Sequence, residues 1–73
     1  MIKVNSAMQQ EKIIDLLNDF DEEGITFTYS KKQGISLFFE TNAEDLEKAA
    51  KLAKSTITGQ TWGSVLYFQV VPA

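Results

Sequence analysis

The stretch Ile25–Glu40, ITFTYSKKQGISLFFE, decides the fold. Its first six residues alternate strictly, so Ile25, Phe27 and Tyr29 take one face of a strand and Thr26, Thr28 and Ser30 the other. The polar run Lys31-Lys32-Gln33 closes on Gly34, which reads as a hairpin loop. From Ile35 the alternation resumes, with Ile35, Leu37 and Phe39 facing in and Ser36, Phe38 and Glu40 facing out. Two strands of period two joined by a short loop make an antiparallel hairpin, and the segments on either side of it have helical spacing.

Upstream, Ile13, Leu16, Leu17 and Phe20 recur at i, i+3, i+4, i+7 and form one helical stripe. Ser6 and Gln9 have the spacing of a capping box, so this helix is expected to begin near Ala7. Gly24 is expected to end it, after a frayed acidic turn. Ahead of the helix, Ile2-Lys3-Val4 reads as a short strand. Downstream, Thr41 and Asn42 are candidate caps of a second helix, with Glu44 or Asp45 three residues on. The stripe of that helix (Leu46, Ala49, Ala50, Ala53, Ile57) is mostly methyl groups, which lets it lie close to a sheet. Glu44 with Lys48 and Glu47 with Lys51 have the favourable i, i+4 order on the opposite side. Gly59 marks the stop, and a polar loop, Gln60–Ser64, carries Trp62 to a last strand, Val65–Val71.

The element order is β-α-β-β-α-β within a single compact α+β domain, residues 1–73. In that order the whole chain resembles the ferredoxin-like split βαβ fold. The resemblance implies a four-stranded antiparallel sheet, order 4-1-3-2, with two helices packed on one face. No family motif accompanies it, so it speaks to fold and not to activity.

Composition narrows the function. Among 73 residues there are seven Lys, ten Asp plus Glu, a net charge of −3, and no Arg, His or Cys. The commonest ligands of zinc, iron–sulfur clusters, haem and copper are missing, as are the Ser–His triad and the Cys nucleophile. Metal chaperones of this shape need a Cys-x-x-Cys loop and acylphosphatase-like enzymes an Arg for phosphate. RNA-recognition modules need basic residues beside the aromatics of their central strands, and the segment GISLFFE lacks them. With dispersed lysines and no apolar run long enough to span a bilayer, neither nucleic acid nor a membrane is an expected partner. A cytoplasmic location is expected, because nothing here requires an oxidising compartment and the polar N-terminus offers no secretory signal.

Two stretches invite a functional reading. Asp19, Asp21, Glu23 and Gly24 match the opening of an EF-hand loop, yet its twelfth place is Ser30 and not Glu, and a strand follows. The stretch therefore reads first as a solvated helix end. The other lead is the sheet face turned away from the helices, where alternation places Lys3, Thr28, Phe38, Glu40, Val65 and Tyr67. Phe38 on a central strand, with Tyr67 and Val65 nearby, makes an aromatic patch of the kind that covers a partner. The uncharged strand ending at Val71 offers an edge for pairing.

Glu40 with Lys3 reads as a cross-strand ion pair and not as acid–base machinery. No catalytic residue, metal ligand or cofactor is expected. The expected function is a non-enzymatic interaction module that binds itself, as a homodimer, or another protein, through the open face or the final strand. The alternative is a small apolar-ligand or sensor domain, with the ligand on the same face under Trp62.

Overall fold

The computed structural model describes residues 1–73. In chain order the elements are β1 (Ile2–Asn5), α1 (Gln10–Asn18), β2 (Asp21–Glu22), β3 (Ile25–Gln33), β4 (Ser36–Thr41), α2 (Leu46–Thr58) and β5 (Gln69–Pro72). The fold is α+β, with an antiparallel sheet of five strands in the order β2-β3-β4-β1-β5, curved into a half-barrel. This corrects the ferredoxin-like expectation of a four-stranded 4-1-3-2 sheet.

The correction originates in the acidic stretch. α1 stops at Asn18, where the Asp19 N–H donates to the Asp15 carbonyl and the Phe20 N–H to the Leu17 carbonyl. Phe20 then turns back into the core, its ring centroid 5.2 Å from that of Phe27. Asp21 and Glu22 pair with Thr26 and Ile25, and both residues of the connecting turn have positive φ, Glu23 at 56° and Gly24 at 75°. That is the geometry of a two-residue type I′ hairpin. Gly24 thus makes a β-turn and not a helix cap, and residues read as a frayed helix end become β2, the strand that brings the sheet to five.

Other boundaries move for equally local reasons. α1 begins at Gln10, not near Ala7, because Ser6 does not cap it. The Ser6 hydroxyl instead donates to the Met8 carbonyl at 2.7 Å, and Gln10 Nε2 donates to the Ser6 carbonyl at 2.8 Å. Gln9, in the capping position, has a left-handed φ of 58°. α2 is capped by Asp45, whose carboxylate accepts from the N–H groups of Glu47 and Lys48, and not by Thr41 or Asn42.

The β3–β4 hairpin is tighter than its sequence implies. Gln33 opposes Ser36, so Lys31–Gln33 belong to β3 and only Gly34 and Ile35 form the turn. Gly34, at φ 60°, supplies the positive φ that a type II′ turn needs at its first central place. Ile35, expected to face inward, is 54% exposed as a result. Finally, β5 begins at Gln69 and not Val65, which leaves Val65–Phe68 in the connection from α2.

Both helices pack on one face of the sheet. Ile2, Val4, Phe27, Leu37 and Phe39 from the strands meet Ile13 and Leu17 of α1 and the Ala49, Ala50, Ala53 and Ile57 stripe of α2 in one core cluster. The alanine stripe brings the α2 backbone close to the sheet. Phe27 and Phe39 are the largest fully buried side chains, and Tyr29 meets Phe39 edge-on at 5.8 Å.

Candidate functional site

On β4, Leu37 and Phe39 are fully buried, so Phe38 between them must point to the helix-free face, where it is half-buried. Register fixes its neighbours. Lys3 of β1 opposes Phe38 on one side, and Val71 of β5 opposes Lys3 beyond it. On the other side Tyr29 opposes Phe39 but Lys31 opposes Phe38, so Ser30 is the extra residue of a β-bulge. Plain alternation would send Lys31 to the helical layer. The bulge returns it to the open face, where its Nζ lies 5.2 Å from the centre of the Phe38 ring.

The result is a row across four strands, Lys31–Phe38–Lys3–Val71, with one aromatic ring flanked by two lysine positions and the Lys31 ammonium over it. A contact of this kind at an exposed site contributes about 0.5–1 kcal/mol. One row along, Thr28 opposes Glu40. One row the other way, Gln33, Ser36, Asn5 and Gln69 are all polar, and the Ser36 hydroxyl donates to Asn5 Oδ1.

The structure divides the residues singled out from sequence into three places. Lys3, Thr28, Phe38 and Glu40 share the open face. Tyr67 and Val65 do not, because they precede β5, and both are almost wholly exposed. Tyr67 lies instead at one end of the sheet, beside Ser6, Ala7, Ile35 and Phe68. Trp62 is elsewhere again. It packs partly buried against the helical layer near Leu16 of α1, and Lys12 Nζ lies 5.9 Å from its ring centre. A site combining Phe38, Tyr67 and Trp62 is therefore not formed. Lys31 belongs to the face and was not legible in advance, since the run Ser30–Gln33 has no alternation from which to assign sides.

The edge of β5 is less inviting than its sequence. The Ala73 N–H donates to the Met1 carbonyl at 2.9 Å, and Val71 pairs with Lys3. By the alternation of an antiparallel ladder, Val70 and Pro72 then present their backbones outward. Pro72 has no N–H, so Val70 is the one outward donor within the strand. At the opposite edge, the Tyr29 N–H is taken by Asn18 Oδ1 at 2.9 Å, and lysines follow.

The acidic stretch is committed to the β2–β3 hairpin, and no three acidic side chains are grouped to hold a metal ion. No family model, curated protein or solved structure matches this chain.

Proposed function

We propose that the protein is a small non-enzymatic interaction module whose helix-free sheet face, centred on Phe38, docks a second copy of this chain or another protein. The observation that carries this reading is the Lys31–Phe38–Lys3–Val71 row. It puts an aromatic ring on a central strand of a sheet face that no helix of this chain covers. Phe38 contributes apolar area to be desolvated, and Lys3, Lys31 and Glu40 set orientation through charge, as the centre and rim of an interface do.

The face is favoured over the β5 edge, because strand addition requires a ladder of donors and β5 offers one. The ligand reading that joined this face to Trp62 has lost its geometry, since Trp62 lies on the helical side. Interaction without catalysis is also in keeping with a chain that lacks His, Cys and Arg.

Phe38→Asp tests the proposal. It places a charge on an already half-exposed position, so the fold is expected to persist while association is lost. Association undisturbed by this substitution would refute the assignment of the face.

A further inference from the structure

Three chain connections meet at the end of the sheet where β1 finishes and β4 and β5 start: the β1–α1 loop, the Gly34–Ile35 turn, and the segment before β5. Between them lies a cleft of about 500 Å³, within the usual range for small-molecule sites. Its apolar wall is Ile35, Tyr67 and Phe68, and Lys54 of α2 is the only charged side chain lining it. From this combination we infer that the cleft binds a small anionic amphipathic molecule, an aromatic or short aliphatic body bearing a carboxylate. The inference is independent of the role proposed for Phe38.

Three observations carry it. First, Ile35 and Tyr67 are 54% and 97% exposed, although both flank a concavity. An apolar body seated between them removes from water a surface that the fold itself leaves wet. Second, one wall is already fixed. The Ser6 N–H donates to the Ile35 carbonyl at 2.9 Å, and the Ser6 hydroxyl and the Gln10 amide brace the loop that follows, so little ordering remains to be done on binding.

Third, the charge distribution favours an anion here despite the net charge of −3. The acidic hairpin Asp21–Glu23 and the acidic start of α2 lie at the other end of the sheet, where Asn42 bonds Gly24 and Thr26. The molecule is 28 Å in its longest dimension, several times the screening length of about 8 Å at physiological ionic strength. Lys54 is the charge on the cleft wall itself, and the depression on the far side of Ala7 adds Lys12 and Lys32 against the single acid Glu11.

The test is an amide NMR titration of the full chain with 3-phenylpropionate, and with its neutral analogue 3-phenylpropanamide. Saturable shifts are expected at Ser6, Ile35, Lys54 and Phe68, with the acid binding about tenfold more tightly than the amide, as a charge-assisted contact allows. Lys54→Met should bring the acid down to the affinity of the amide, and Tyr67→Ser should weaken both. Phe38→Asp should change neither, which separates this site from the sheet face. Absence of saturable shifts, shifts centred on Phe38 or Trp62, equal affinity for acid and amide, or an inert Lys54→Met would each overturn the inference.

Discussion

The side chain of Asn42 acts on the β2–β3 hairpin as a strand backbone would: its Oδ1 accepts from the Thr26 N–H at 2.9 Å and its Nδ2 donates to the Gly24 carbonyl at 2.7 Å. β4 ends one residue earlier, at Thr41, so Asn42 extends the β3–β4 ladder by one amide. The two-residue strand β2 lies just beyond and depends on β3 being held there.

Asn42→Ala should therefore cost about 1–2 kcal/mol, the loss of two solvent-exposed hydrogen bonds. Chemical denaturation measures the total. Amide exchange at Thr26 locates it, and this proton should exchange faster while those of β1 and β4 keep their protection relative to global unfolding.

Glu23 sits in the left-handed region at φ 56°, where a side chain other than Gly, Asn or Asp is strained. Replacing it with Asn gives Asn-Gly, the preferred pair for a type I′ turn, and should stabilise the protein by about 0.5–1 kcal/mol. Glu23→Gln removes the same charge without relieving the backbone. A gain in thermal stability confined to the Asn variant assigns the effect to the turn.

Much of the core was legible in the sequence, and the reasons are specific. Phe27, Leu37 and Phe39 alternate with polar or less buried neighbours, and Ala49, Ala50, Ala53 and Ile57 repeat at helical spacing, so each pattern names its buried face. The sheet was not fully legible. A Glu-Gly turn is a weaker hairpin signal than Asn-Gly, and an acidic run after a helical stripe looks like a helix end, which concealed β2. The bulge at Ser30 left no trace in a run of four polar residues, which concealed Lys31. Val65 to Val71 has the composition of a strand throughout, yet only its last three residues enter β5 and find a partner in β1. That shortening removed Tyr67 from the face and put it at the cleft.

Gly63 is buried in the turn after α2, and a Cβ built there would lie 1.7 Å from the Ile57 carbonyl oxygen. Backbone cannot yield that far without moving the whole connection. Gly63→Ala should cost about 3 kcal/mol or more, a core overpacking penalty at its upper end. Thermal unfolding measures the loss, and Trp62 fluorescence, reporting from the adjacent residue, should show the displaced turn.

Burial of Phe38 against a second copy is measured most directly by sedimentation equilibrium over a wide concentration range, on the native chain and on Phe38→Asp, with circular dichroism confirming that both are folded. The expected result is a native mass rising with concentration from 8.2 kDa toward twice that value, and a Phe38→Asp mass that stays at the monomer. A native chain that remains monomeric at the highest concentration, or a dimer that survives the aspartate, would contradict it.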